Sequence, residues 1–182
     1  MNDWKRKITL FLSSQSISLF GSSIVQYAIM WHITLTTQSG LMMTLFIICG
    51  FIPTFLLSPF AGVWADRYNR KILIMLSDSL IALATLVLAI LYLAGFQYIW
   101  LLFVIAAIRA FGTAVQTPAG GAILPQLVPE DRLMRVNGVH STLQATISFM
   151  SPMVSAALLS FTTLEIISVS YTHLTLPTMA VV

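Results

Sequence analysis

Two charged side chains, Arg109 and Asp78, interrupt long apolar stretches of the 182-residue sequence. An arginine at the centre of a bilayer costs roughly 2.5 kcal/mol or more, so it normally faces a bundle interior or a wet cavity. We therefore expect Arg109 to lie on an ion or substrate path; the alternative is a structural arginine that ties carbonyls and glutamines together. Asp78 could carry a proton, but we favour its pairing with a nearby base such as Arg70 or Lys71.

A third concentration of charge is the segment GVWADRYNRK, which joins two apolar stretches. Gly62 permits close approach of a neighbouring helix. The Asp66 carboxylate can accept hydrogen bonds from the N-terminus of a facing helix, whose dipole favours negative charge. Arg70 and Lys71 can pair with acidic groups or with lipid phosphates. As a bare charge cluster, the segment predicts only a solvated loop that sets orientation.

The elements that position these residues are membrane helices. The chain is 58% apolar and 8% charged, with a mean hydropathy of +0.91, whereas a soluble domain carries about 25% charged residues. Crossing the hydrocarbon core takes about 20 mostly apolar residues. Five stretches satisfy this, and they predict an all-α membrane protein with helices near residues 8–35, 41–65, 72–94, 98–124 and 136–161.

The basic residues predict the orientation of these helices. Positive charge accumulates in the N-terminus and in alternate loops, and the turns near Gly40 and Gly95 contain none. Basic loops are normally cytoplasmic, so the N-terminus is expected in the cytoplasm of a multi-pass protein of the cell (plasma) membrane. A basic patch for nucleic acid on a soluble fold is not expected. The basic residues are Lys5, Arg6, Lys7, Arg67, Arg70, Lys71, Arg132 and Arg135.

The helices also contain glycine, proline and glutamine, which simple anchors lack. Small residues permit close helix packing and polar ones form hydrogen bonds between helices, so a multi-helix bundle is predicted.

The single cysteine, Cys49, is interpreted as a packing residue. No metal site and no cofactor are expected. An intramembrane serine protease is not expected either, because Ser22 and His32 are about 15 Å apart along one helix, and Asp78 has no second carboxylate for aspartyl chemistry.

The spacing of two motifs resembles the major facilitator superfamily. The pattern Gly62-x-x-x-Asp66-Arg67-x-x-Arg70-Lys71 resembles the signature of its loop between helices two and three. Asn69 stands where that signature prefers glycine, and asparagine tolerates left-handed backbone nearly as well.

A second motif lies in the fourth helix, where Arg109-Ala-Phe-Gly112 resembles the core of a motif associated with proton coupling in that superfamily. Both motifs occur in the expected helices and order. Several stretches, such as IRAFGTAVQTPAGGAILPQLVPEDRL, resemble the macrolide-efflux branch in particular.

The resemblance covers about residues 4 to 165 and implies part of a six-helix amino-terminal half, with helices one and four lining a central cavity. Candidate cavity residues are then Gln15, Gln26, Arg109 and Gln116. Ser151-Pro152 stands in the fifth helix, where exporters of this superfamily often carry a glycine-rich motif with Gly-Pro, and implies a kink at Pro152.

The function implied is proton-coupled export of hydrophobic drugs such as macrolides by a full-length protein, with the proton gradient as energy source. The implied partners are the lipid bilayer, a small hydrophobic substrate and protons, and the full-length protein is expected to be a monomer. The alternatives are transport of another small solute, such as a sugar or siderophore, and a non-transporting membrane scaffold.

The end of the chain differs in character. Residues 1–167 are assigned to helices one to five, and residues 168–182 are expected to lie outside the family. The string SYTHLTLPT resembles a translated sequencing-adapter artefact, and the alternative is a genuine splice or frameshift product with a disordered end. By this interpretation the 182-residue chain is an incomplete transporter that is inactive alone, because alternating access needs a second half.

Overall fold

The computed structural model describes residues 3–179, and within them the chain is a bundle of six α-helices without strands. Five helices are long and apolar enough to cross a membrane, which confirms the predicted fold class. The helices are α1 (Asp3–Thr37), α2 (Gly40–Arg67), α3 (Arg70–Leu93), α4 (Ile99–Leu127), α5 (Glu130–Phe161) and α6 (Leu164–Met179).

Short polar turns end the helices where the apolar stretches stop. The Ser39 side chain caps α2 by accepting a hydrogen bond from the Met42 amide. Asn69 caps α3 in the same way, by accepting from the Lys71 amide at 3.0 Å. Asn69 has a φ of −64°, outside the left-handed region, and asparagine serves here as a helix N-cap. Gly95, with a φ of 89°, provides the left-handed position after α3.

Helix α4 is the centre of the packing, because it lies between α2 and α3. Helix α1 packs mainly on α5 and α6, and α6 also packs on α3. Because only short turns connect them, successive long helices run in alternating directions. The three segments that carry the basic residues consequently lie at one end of the bundle, as the charge pattern predicted.

The buried side chains form two apolar clusters at opposite ends of the bundle. The cluster at the basic end includes Ile8, Ile74 and Ile123. The opposite cluster includes Ile29 and Leu88. Between the two, small residues such as Ala82 and Ala110 are buried together with polar side chains, so the positions able to do chemistry lie at mid-depth: Gln15, Ser18, Ser77, Asp78, Thr85, Arg109 and Gln116.

Glycine lets α4 approach α3 closely at one point. A Cβ atom at Gly112 would lie 2.6 Å from Ile81 Cγ1 and 3.1 Å from the Ser77 carbonyl oxygen. Gly62 behaves differently, since a Cβ atom there would meet nothing within 4 Å. The expectation that Gly62 contacts a neighbouring helix is therefore wrong for the described chain, because that face of α2 has no helix beside it.

This contrast predicts opposite effects of two alanine substitutions. Gly112→Ala forces α3 and α4 apart, and overpacking of this kind costs about 1–3 kcal/mol. Gly62→Ala meets open space and improves helix propensity by up to about 1 kcal/mol. The melting temperature of the purified chain in detergent should therefore fall for Gly112→Ala and stay level or rise for Gly62→Ala. Equal melting temperatures would contradict the close α3–α4 contact.

The end of the chain differs from the expectation of disorder. Residues 164–179 form α6, and Ile167 and Tyr171 are buried in the apolar cluster at the non-basic end. Helix α6 is not among the five candidate spans, in agreement with the view that the segment is short for a sixth crossing. The origin of residues 168–182 stays a prediction, and residues 180–182 lie outside the described part of the chain.

Candidate functional site

Arg109 joins four helices at mid-depth. It lies about 15 Å along α4 from the helix start, near the middle of a hydrocarbon core about 30 Å thick. Its Nη2 donates to the Ser22 carbonyl at 2.9 Å and to the Ser22 hydroxyl at 3.0 Å, both in α1. Its Nη1 donates to the Thr85 hydroxyl in α3. The guanidinium also lies over the Tyr171 ring of α6, 5.6 Å from the ring centroid.

Asp78 forms a second polar cluster with α1 and α4. Its Oδ1 accepts from the Ser18 hydroxyl at 3.4 Å and from the Gln116 side-chain amide. The predicted pairing with Arg70 or Lys71 is wrong. Asp78 faces α1 and α4 about 12 Å along α3 from Arg70, whereas the Arg70 side chain reaches towards the helix ends at the basic face.

The two clusters form successive layers across the same three helices. Thr85 follows Asp78 by seven residues on α3, and Gln116 follows Arg109 by seven on the antiparallel α4. Seven residues are about two helical turns, or roughly 10 Å, so Asp78 and Thr85 share one face of α3, and Arg109 and Gln116 share one face of α4. The carboxylate therefore lies nearer the basic end and the guanidinium nearer the opposite end.

Neither buried charge has a charged partner in the described residues. The ion pairs there are Asp66–Arg70 and Asp131–Arg132. Asp78 and Arg109 are 4% and 3% exposed and are held by neutral groups. A buried carboxylate in that setting can become neutral by taking up a proton, whereas arginine stays charged. The arrangement thus combines one fixed cation with one group that can change charge.

A cavity of about 380 Å³ adjoins both layers between α1, α2 and α4. Its wall is mainly apolar, with Leu19, Phe46 and Phe51 among the lining residues. Its polar lining is confined to Ser22, Ser23, Gln26, Thr54, Arg109, Thr113 and Gln116. A largely apolar wall with a few placed polar groups is typical of a small-molecule site.

The predicted cavity residues separate into two groups. Gln26, Arg109 and Gln116 line the cavity, and Arg109 and Gln116 belong also to the two layers. Gln15 does not line the cavity. Its side chain is buried elsewhere in the bundle, and its Oε1 has no hydrogen-bond partner among the described residues. Gly112 contributes by close packing of α3 and α4. Helix α5 continues through Pro152, and the predicted kink stays a prediction.

The charged segment between α2 and α3 ties helix ends together. Arg70 Nε donates to the Ala65 carbonyl at 3.0 Å, and its Nη1 donates to the Ala122 carbonyl at 2.8 Å near the end of α4. The cation thereby meets C-terminal carbonyls, which carry partial negative charge. Asp66, 3.9 Å from Arg70, has an 80% exposed side chain and faces no helix of the described chain. Arg67 and Lys71 are exposed.

Sequence reasoning missed the role of two residues. Ser22 and Thr85 hold the Arg109 guanidinium in place, yet serine and threonine are common in membrane helices and do not stand out. The available signal was the spacing of Thr85 from Asp78, which equals that of Gln116 from Arg109. Such a match predicts two shared layers only once the helices are known to be antiparallel neighbours.

Comparison with known proteins identifies the family of the chain. Residues 7–180 match the family described as Transmembrane secretion effector, of the major facilitator superfamily. The chain is 36% identical over 159 residues to Macrolide efflux protein A of Streptococcus pyogenes, covering 87% of this chain and 39% of that protein. It is 38% identical over 111 residues to the Enterococcus faecalis protein of the same name, covering 61% and 34%.

A more distant relative is named for another cargo. The Staphyloferrin A transporter of Staphylococcus aureus is 27% identical over 151 residues, covering 82% of this chain and 38% of that protein. No solved structure matches the chain. The chain spans about two fifths of the length of the curated relatives it matches, 39% for the Streptococcus pyogenes protein.

Proposed function

Because the chain belongs to the transmembrane secretion effectors of the major facilitator superfamily, we propose that it supplies the amino-terminal half-site of a drug exporter. The exporter moves hydrophobic molecules such as macrolides out of the cell in exchange for protons. It uses the proton gradient and no cofactor, and it works as a monomer once both halves are present. The similarity to two proteins named Macrolide efflux protein A supports the choice of cargo.

The observation that carries the proposal is the cavity whose apolar wall meets the two polar layers. Phe46, Phe51 and Leu19 offer surface to an apolar molecule. The Gln116 side chain connects the two: it lines the cavity and donates a hydrogen bond to Asp78. The ionised Asp78 carboxylate holds the Gln116 amide in one orientation at the cavity wall. A substrate that binds Gln116 in this orientation therefore favours the ionised form of Asp78 and opposes its protonation.

This shared side chain gives a simple exchange cycle. A proton arriving at Asp78 neutralises the carboxylate and weakens its hold on Gln116, which favours release of the substrate. Loss of the proton towards the basic end restores the hydrogen bond. Arg109 stays charged throughout, so it sets the electrostatic potential of the layer and holds α1 and α3 against α4.

The segment between α2 and α3 acts as the gate at the basic end. Arg70 joins the ends of α2 and α4, while the exposed Asp66 carboxylate remains available for a helix terminus of the second half. Arg67 and Lys71 contribute positive charge to the same face. We place this face in the cytoplasm and the chain in the plasma membrane, since basic loops are normally retained inside.

One observation favours a second cargo class. Arg109 lines the cavity without a carboxylate partner, and its Nε has no hydrogen-bond partner among the described residues. A permanently charged donor in this position suits an anionic solute. An organic anion is therefore the second candidate.

A hybrid transporter tests the proposal. It joins this chain to the part of the Streptococcus pyogenes Macrolide efflux protein A that the chain does not match. Cells that carry the hybrid should accumulate less macrolide than cells with an empty vector, and a protonophore should abolish the difference. An inserted and folded hybrid that leaves macrolide accumulation unchanged contradicts drug export, and export of organic anions alone would favour the second candidate. A hybrid that moves neither would support the scaffold alternative.

A further inference from the structure

A separate cavity of about 670 Å³ opens at the basic end of the bundle, between the first turns of α1 and α5. It shares no lining residue with the substrate cavity. Its rim carries three basic side chains, Lys5, Arg132 and Arg135. Its floor is apolar and runs inwards along α1 and α5 through Ile8, Leu12, Val136 and Val139.

The rim has positive charge that the described residues do not neutralise. Asp131 is the carboxylate in the lining, and it pairs with Arg132 at 3.0 Å. Lys5 and Arg135 belong to none of the ion pairs in the described part of the chain. The lining therefore carries three positive charges and one negative, so an anionic group fits the rim.

The floor narrows the choice of anion. Leu12 lies seven residues from Lys5 on α1, which is about 10 Å deeper in the membrane direction. A ligand that fills the cavity must then be anionic at the rim and apolar below it. Trp4, whose ring lies 5.8 Å from the Lys5 ammonium, marks this level as the membrane–water interface, where tryptophan is enriched.

We propose that this cavity binds the phosphate headgroup of an anionic phospholipid, with the start of an acyl chain along the floor between α1 and α5. Lys5 and Arg135 hold the phosphate, and Ile8, Leu12 and Val139 contact the chain. Basic pockets between membrane helices provide this kind of recognition. The site depends on the membrane placement of the bundle and not on the transport cycle, so its failure and that of the exporter proposal are distinguishable.

The test uses the purified 182-residue chain in detergent, titrated with phosphatidylglycerol or with phosphatidylcholine of the same chain length. Intact-complex mass spectrometry reports the lipid retained. Phosphatidylglycerol should bind the more tightly. Lys5→Gln and Arg135→Gln should each weaken its binding about fivefold, as expected for loss of one basic contact near the interface.

Lys7→Gln is the matched control, because Lys7 is exposed on the same helix, has the same charge and does not line the cavity. It should leave phosphatidylglycerol binding unchanged. An equal loss in Lys5→Gln and Lys7→Gln would overturn the site in favour of general charge attraction. Equal retention of the two lipids would overturn it as well.

Inorganic phosphate distinguishes a lipid from a free anion. Added at the concentration of the lipid, it should not displace phosphatidylglycerol, because it gains nothing from the apolar floor. Displacement at equal concentration would overturn the lipid proposal and assign the rim to free phosphate.

Discussion

Asp78→Asn should abolish macrolide export by the hybrid transporter while leaving macrolide binding to the purified hybrid measurable. Asparagine has nearly the same shape as aspartate and can still accept from Ser18 and Gln116 through its amide oxygen. It cannot take up a proton, so the substitution removes the change of charge and keeps the packing. Macrolide accumulation in cells should rise to the level seen with an empty vector.

The measurement pairs cell accumulation with equilibrium binding of labelled macrolide at two pH values. Binding to the unmodified hybrid should weaken at acid pH, because a proton on Asp78 releases Gln116 from the orientation in which it binds the substrate. Binding to Asp78→Asn should not depend on pH in the same range. Glu130→Gln, which removes an exposed carboxylate at the start of α5, is the matched control and should retain export. Normal export by Asp78→Asn would remove Asp78 from the cycle.

Arg109→Ala is expected to stop macrolide export as completely as Asp78→Asn does, with the hybrid still present in the membrane. The substitution removes the fixed charge of the layer that contains Arg109 and separates α4 from Ser22 and Thr85. It also removes a membrane cation that costs roughly 2.5–3.5 kcal/mol to insert, so insertion should not suffer. The amount of hybrid in the membrane and the accumulation of macrolide provide the readout.

Arg109→Lys separates charge from geometry. Lysine keeps the positive charge but lacks the planar fork that reaches Ser22 and Thr85 together. If the charge sets the potential of the layer, Arg109→Lys should recover part of the export that Arg109→Ala loses. Arg6→Gln, which removes an exposed cation near the start of α1, should behave like the unmodified hybrid. Export by Arg109→Ala at the unmodified rate would make Arg109 dispensable.

The sequence predicted well what depends on composition and periodicity. Hydropathy predicted five long helices, because a membrane span needs a long apolar stretch whatever its neighbours are. The positions of the basic residues predicted which ends lie together. The polar character of Arg109 and Gln116 predicted that they face inwards, since exposure to lipid is costly.

What the sequence did not predict depends on which helices are neighbours. The face of α3 that carries Asp78 meets α1 and α4, and no local pattern reveals this, so Arg70 was wrongly expected as its partner. Gly62 and Gly112 are both glycines inside apolar helices, yet Gly62 has open space beside it and Gly112 lies against Ile81. Helix α6 was missed because its 16 residues are short for a membrane span and include several polar ones, while its burial comes from contacts with α1 and α3.

Proton movement coupled to macrolide in sealed vesicles shows whether Asp78 links drug export to protons. Purified hybrid is reconstituted with a pH-sensitive dye inside, and macrolide is added under a proton gradient. We expect macrolide to accelerate proton movement through the unmodified hybrid and to have no effect on Asp78→Asn. Macrolide transport without any proton movement, or equal proton movement in both proteins, would contradict this expectation.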